Sequence, residues 1–147
     1  MSLSIATCTY NEFERGMGIP IRSTVGQAKW FPHYPYGTWS NITPEPWMLN
    51  MGLDRFREKY RQKLDRIGFD TLMGDALALQ AELADEWQHD GRNAEQLVVL
   101  CFDNLAKPGN WCHRTMFAEW MGEHGFEIRE LGRSRPAPPA DNQTKLW

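Results

Sequence analysis

The chain has 147 residues, 41% of them hydrophobic and 24% charged, which suits one globular domain with a buried core. A net charge of -3 and a pI of about 5.8 give no overall basic field, so a nucleic-acid partner is not expected. Three cysteines are too few for a disulfide framework and favour a reducing compartment. Without an apolar run of roughly 20 residues or signal-peptide features, the sequence predicts a cytoplasmic protein with no membrane partner.

The first third of the chain predicts two strands followed by a long loop. Residues 3–10 alternate in polarity and form the first strand, and residues 11–18 form a turn. Residues 19–25 form the second strand, in which Pro20 suits the beginning or a sheet edge. Residues 26–46 contain four prolines and two glycines, which exclude a long helix or a central strand.

The loop at 26–46 is either a ligand-contacting segment or a surface loop packed on itself. It carries cationic and aromatic side chains that can contact anions and stack on rings: Lys29, Trp30, His33, Tyr34, Tyr36 and Trp39. Packing is the ordinary role of a tryptophan. Trp30 and Trp39 are nevertheless expected to face a ligand or partner, because they lie in this Pro/Gly/Tyr-rich segment.

Two helices and a buried strand are predicted next. Residues 49–66 form a helix with an apolar stripe, and its cations, Lys63 among them, are assigned to the other, solvated faces. A second helix runs to about Gln88, starting after an Asp70 cap or nearer Asp75. Residues 97–102 are continuously apolar, which is typical of a strand in a parallel sheet covered on both faces.

The last part of the chain predicts a helix, a strand and a tail. Asn110 is expected to cap a helix that ends before Gly125, and residues 126–131 form the closing strand. Residues 1–131 are therefore predicted to be a single three-layer, Rossmann-like α/β domain with about four mostly parallel strands. Residues 132–147 form a Pro-rich extended tail, whose Leu146 and Trp147 are expected to tether it either to the domain or to a second subunit, as in a homodimer.

Cys112, His113 and Arg114 occupy the first turn of that helix, just beyond the strand end that carries Cys101 and Asp103. Ligands of open α/β sheets bind at such edges, and free N–H groups at a helix start favour anions. Helical spacing places Cys112 and His113 on the apolar rows, so we expect Cys112 to be buried and His113 to be hydrogen-bonded. Arg114, about a third of a turn away, either reaches the ligand or clamps a neighbouring segment.

Several chemistries compete for this segment. A metal site would use Cys101, Cys112 and His113 with Cys8 as a conceivable fourth ligand, but the C-x10-C-H spacing is not a standard zinc pattern, so no metal is expected. Cys112 could be a nucleophile or inert packing. An anion site built by Arg114, His113 and backbone amides requires the fewest assumptions, and its structural alternative is an Arg114 that ties the helix to the sheet.

The leading hypothesis is binding of a phosphorylated, nucleotide-like small molecule, without a cofactor and without an assigned catalytic residue. The predicted ligand-binding residues are Arg22, Ser23, Lys29, Trp30, Asp103, His113 and Arg114. An enzyme that uses Cys112 and His113 on a nucleotide or glycosidic bond is the first alternative. A protein- or nucleic-acid-interaction module that uses the aromatic loop and the basic helix is the second.

The stretch from residue 97 to 131 resembles the family called domain of unknown function 488. The matching residues are Cys101, Cys112, His113, Arg114, Ala118, Trp120, Gly125, Glu130 and Leu131, with weaker matches at Arg22, Pro44 and Tyr60. The family usually has Glu soon after the strand-end Cys, where this chain has Asp103 and a longer loop. The resemblance implies a Rossmann-like fold and a site rather than a reaction. Its bacterial and viral members imply a role in host–virus conflict, such as capture of a nucleotide-derived immune signal.

Overall fold

The computed structural model describes residues 3–31, 37–89, 93–102 and 111–132, and in them the chain forms one sheet of five parallel strands. The order across the sheet is β3-β2-β4-β1-β5. The strands are β1 (Ser4–Thr9), β2 (Ile19–Arg22), β3 (Gly37–Thr38), β4 (Gln96–Cys101) and β5 (Arg129–Glu130). Their carboxyl ends therefore lie at one edge of the sheet.

Three α-helices occur in the described chain: α1 (Leu53–Ile67), α2 (Phe69–Gln88) and α3 (His113–Glu123). The first two lie between β3 and β4, and α3 joins β4 to β5. Short 3-10 helices cover Arg15–Met17, Ser40–Ile42 and Pro46–Met48. Across the described ranges, none of the helices is both long enough and apolar enough to cross a membrane.

Strands β1 and β4, which are adjacent inside the sheet, are covered on both faces. Every residue of β1 and β4 after the first is buried, and their register pairs Ile5 with Leu97 and Thr9 with Cys101. Consecutive burial is expected for parallel strands between packed layers. The predicted Rossmann-like α/β sandwich is therefore confirmed, with five strands in place of about four.

The two outermost strands of the sheet, β3 and β5, are each two residues long. β3 lies inside the predicted loop at 26–46, and β5 is the paired part of the predicted strand at 126–131. Two residues are too few to produce an alternating pattern, so β3 was not predicted and only its pairing with β2 reveals it. β3 matters for function because it extends the carboxyl edge next to Arg22.

Helix starts differ from the sequence-based expectations. α2 begins at Phe69, with Gly68 as its N-cap in a positive-φ conformation. The predicted N-cap at Asp70 and the predicted later start near Asp75 are therefore both wrong. α3 has Cys112 as its N-cap. The predicted cap Asn110 and the tail at 133–147 lie outside the described residues.

Candidate functional site

Cys101 and Cys112 are joined by a disulfide at the carboxyl edge of the sheet. Cys101 ends β4 and Cys112 caps α3, so one strand-to-helix connection brings together residues 11 positions apart. Both are almost completely buried, as expected for Cys112. The small cysteine set argued against a framework of several bonds and did not predict this one, because the pairing depends on the path between strand and helix.

The guanidinium of Arg114 is completely buried at the same place. Its Nε and Nη2 donate to Oε1 and Oε2 of Glu130 at 2.9 and 3.3 Å, and Nη1 donates to Sγ of Cys101 at 2.9 Å. Glu130 also accepts from the Thr7 hydroxyl and the Gly132 N–H. Of the two roles predicted for Arg114, these contacts show the clamp, which ties α3 to β5 and to the end of β4. Helical spacing could not show that β5 places a carboxylate beside it.

The hydrogen bonds around His113 determine its tautomer. The Ser23 hydroxyl donates its single proton to the Leu100 carbonyl at 2.8 Å. It must therefore accept from Nε2–H of His113, which lies 3.0 Å away. We assign the neutral ring with its proton on Nε2. The lone pair of Nδ1 then faces Sγ of Cys112 at 3.8 Å.

Burial keeps His113 neutral and lowers its pKa to about 3. The charges of Arg114 and Lys63 lower the pKa further, whereas a hydrogen bond to the backbone of Ser23 raises it. The expectation that His113 is held by hydrogen bonds is confirmed. A neutral imidazole has a free lone pair and can act as a base or as a metal ligand.

The buried His113 makes stability depend on pH in a defined direction. Its folded pKa lies below the unfolded value of 6.5, so the unfolded chain binds more protons and stability falls as pH drops from 6.5 towards 3. The slope contributed by one such group reaches about 1.4 kcal/mol per pH unit. Urea unfolding without reductant is expected to show this slope as the difference between wild type and His113→Gln. The matched control His124→Gln should retain it, and identical wild-type and His113→Gln profiles would contradict the assignment.

Arg22 and Ser23 follow each other at the end of β2 and have different roles. Nε and Nη2 of Arg22 donate to the carbonyls of Thr24 and Val25, and the side chain is partly exposed. Ser23 is completely buried, and its hydroxyl connects β4 to the His113 ring. Arg22 can therefore meet a ligand, whereas Ser23 supports the site from inside.

A cleft of about 340 Å³ opens beyond the carboxyl ends of β2 and β3. Two cations line it, and so does the carboxylate of Glu45. The cations and the four hydroxyl-bearing residues are Arg22, Lys63, Thr24, Thr38, Ser40 and Thr43. This edge is where open parallel α/β sheets bind their ligands.

Lys63 is a functional candidate that the sequence analysis placed on the solvated face of α1. It is only 5% exposed. Its Nζ donates to the carbonyls of Ser40 and Thr43 and contacts Glu45 at 2.7 Å. Helical spacing could have predicted the burial of Lys63, because this residue lies three positions after the buried Tyr60 and therefore on the same helix face.

The aromatic loop contributes less than predicted. Lys29 is exposed, and Trp30 is 54% exposed with its ring edge-on to Tyr10. Neither is among the described residues that line the cleft. Trp39 was expected to face a ligand but is buried, and its indole N–H donates to Asp75. Other predicted contacts lie outside the described residues: His33, Tyr34, Tyr36 and Asp103.

Two cations of α1 pair with carboxylates of α3. Arg57 pairs with Glu119 at 3.4 Å, and Arg61 pairs with Glu123 through two hydrogen bonds. Lys63 is buried, as described above. Binding to a polyanion depends on available cations, so these pairs do not favour the interaction-module hypothesis.

Comparisons of the chain with protein-family models, with curated proteins and with solved structures find no match. The resemblance of the Cys-His-Arg segment to the domain of unknown function 488 therefore stays a prediction.

Proposed function

We propose that this protein binds a small phosphorylated, nucleotide-like molecule in the cleft beyond β2 and β3. The observation that carries the proposal is the cleft itself, in which Arg22 and Lys63 are combined with hydroxyl-bearing residues. Its volume of about 340 Å³ falls within the usual range for small-molecule pockets. Guanidinium and ammonium groups are the side chains that most often bind phosphate.

The bonds already made by these cations indicate how an anion would enter. The carbonyls of Thr24 and Val25 hold the Arg22 guanidinium in a fixed orientation. Lys63 is paired with Glu45, whose side chain is 41% exposed. A ligand phosphate that displaced the Glu45 carboxylate would keep Lys63 paired, so the exchange would leave no buried charge alone.

In this proposal the cleft binds the ligand and releases it chemically unchanged. The two residues assigned to turnover, Cys112 and His113, are not among the described residues that line the cleft. In the cytoplasm, such a protein would sequester its ligand. A nucleotide-derived immune signal in host–virus conflict belongs to this ligand class.

Binding is tested by thermal shift and calorimetry with nucleoside phosphates, cyclic nucleotides and ADP-ribose derivatives at constant ionic strength. At least one compound should stabilise the protein, and Arg22→Met should weaken its binding about ten- to hundred-fold, the usual value of a charged hydrogen bond. The exposed Arg66→Met, at the end of α1, should not change the affinity. If none of these compounds binds to the folded protein, the proposal fails.

Turnover by Cys112 and His113 is the alternative, favoured by the Nδ1 lone pair that faces Sγ of Cys112. It requires a reduced Cys112, because the disulfide occupies the sulfur in this structure. Under reducing conditions this alternative predicts loss of the bound compound over time, abolished in Cys112→Ser. Recovery of the intact compound from wild type supports retention.

A further inference from the structure

A second candidate site lies at the start of α3, separate from the cleft. Ligand atoms of Cys101, Cys112 and His113 all lie within 4.8 Å of one another, and all three residues are buried. We propose that the reduced protein binds a thiophilic divalent metal ion, with Zn²⁺ as the best match, through the two Sγ atoms and Nδ1 of His113. The sequence spacing predicted no metal, but the strand-to-helix connection assembles a two-sulfur, one-nitrogen donor set that suits zinc.

The orientation of His113 fits this role. Its Nε2–H donates to Ser23 Oγ, so the lone pair lies on Nδ1, on the side of Cys112. A metal-binding histidine almost always donates its other ring N–H to such an outer partner, which fixes the tautomer and the ring plane. Ser23 is itself fixed by its bond to the Leu100 carbonyl. The ring is thus already oriented for coordination.

The backbone spacing at the two cysteines also suits a metal ion between them. Their Cα atoms are 7.5 Å apart, whereas disulfide-bonded cysteines usually have Cα atoms about 4.4–6.8 Å apart. A metal ion with bonds of about 2.3 Å to each sulfur adds reach between the two side chains. Reduced Cys101 and Cys112 can therefore share an ion with their backbones in place.

The charges at the site balance when a divalent ion is bound. Two thiolates neutralise the ion, and the imidazole of His113 is neutral. The adjacent Arg114–Glu130 pair is also neutral as a unit. Nη1 of Arg114 donates to Sγ of Cys101, which stabilises a metal-bound thiolate. A buried site with no net charge avoids the large cost of an isolated buried ion.

The metal-bound form is reached from the disulfide by reduction followed by metal binding. An external dithiol or phosphine reductant breaks the Cys101–Cys112 bond by giving two electrons and is itself oxidised. The two thiol protons come from the dithiol, which closes its own disulfide, or from a water molecule, whose oxygen the phosphine takes up as phosphine oxide. The metal then displaces both protons to solvent as two metal–sulfur bonds form.

Three protein ligands are found among residues 3–31, 37–89, 93–102 and 111–132. Solvent or another small donor can occupy the fourth position of a tetrahedral zinc ion. Cys8, weighed in the sequence analysis as a fourth ligand, is not part of the cluster. Burial raises the pKa of its thiol to about 12, which keeps Cys8 protonated.

The experiment uses the full chain, reduced with a phosphine under anaerobic conditions and titrated with Co²⁺ and then Zn²⁺. Thiolate-to-cobalt charge-transfer bands and intense visible bands of tetrahedral cobalt are expected, with about one ion per chain. Excess Zn²⁺ should bleach these bands. Cys101→Ser, Cys112→Ser and His113→Ala should each lose them, whereas the matched control Cys8→Ala should retain them.

Two further measurements keep the test decisive if a ligand variant unfolds. Ser23→Ala leaves the three ligands in place and should weaken metal binding about ten- to hundred-fold as a positioning change. In wild type, bound Zn²⁺ should protect two thiols from alkylation until a chelator is added. Absence of cobalt–thiolate bands in folded, reduced wild type would overturn the proposal and leave the pair a disulfide only. Because neither measurement uses the phosphorylated compounds, failure here is distinguishable from failure of the cleft.

Discussion

Glu130→Ala is expected to lower the free energy of unfolding by about 3–5 kcal/mol, because it leaves the Arg114 guanidinium buried without its carboxylate partner. Arg114 is completely buried, and Glu130 accepts from both its Nε and its Nη2. The same carboxylate accepts from the Thr7 hydroxyl on β1. Removing it therefore disconnects α3, β1 and β5 at one point.

Chemical denaturation at neutral pH measures this loss, and Glu119→Ala is its matched control. Glu119 also pairs with an arginine, Arg57, but its side chain is 43% exposed. An exposed pair of this kind contributes about 0–1 kcal/mol. Similar losses in the two variants would show that the burial of Arg114 does not carry the effect.

Gly18→Ala is expected to destabilise the fold by about 2–5 kcal/mol, the combined cost of a strained backbone and a steric overlap. Gly18 precedes β2 and has a φ of 150°, which L side chains rarely adopt. A Cβ there would lie 2.4 Å from the carbonyl oxygen of Gln96, in the backbone of β4. Backbone in a central strand cannot move aside as a flexible side chain can.

Gly16→Ala provides a control two residues away, in the same turn. A Cβ at Gly16 meets nothing within 4 Å, so the substitution should change stability little. Thermal and urea unfolding of both variants measure the difference. Because Gly18 places the beginning of β2, and Arg22 ends that strand, the variant should also weaken ligand binding in the cleft. Equal stability of the two variants would contradict the steric argument.

The sequence analysis predicted one anion site containing both Arg22 and Arg114, but the structure gives these two residues different environments. Arg114 is used inside the protein, and Arg22 with Lys63 faces the cleft at the ends of β2 and β3. His113 connects the two regions through Ser23, the neighbour of Arg22. No cysteine is among the described residues that line the cleft, so ligand binding and the state of the cysteine pair can be examined separately.

Local patterns in the sequence were sufficient for the fold class. The continuous apolar run of β4 predicted a parallel sheet covered on both faces, and the spacing of apolar residues predicted three helices. Glycine at 125 follows α3 with a positive φ, as the sequence indicated. These features depend on hydrophobic burial and backbone conformation along a short stretch of chain, so they can be read without knowing distant neighbours.

The contacts made by the residues of the site became visible only in the tertiary structure. The Arg114–Glu130 pair, the burial of Lys63 and the disulfide each depend on a partner from another element. The sequence by itself determined that Cys101, Cys112, His113 and Arg114 meet at a strand end and a helix start. Which of them faces a ligand depended on neighbouring strands, because charge neutralisation and burial are set by three-dimensional contacts rather than by helical spacing.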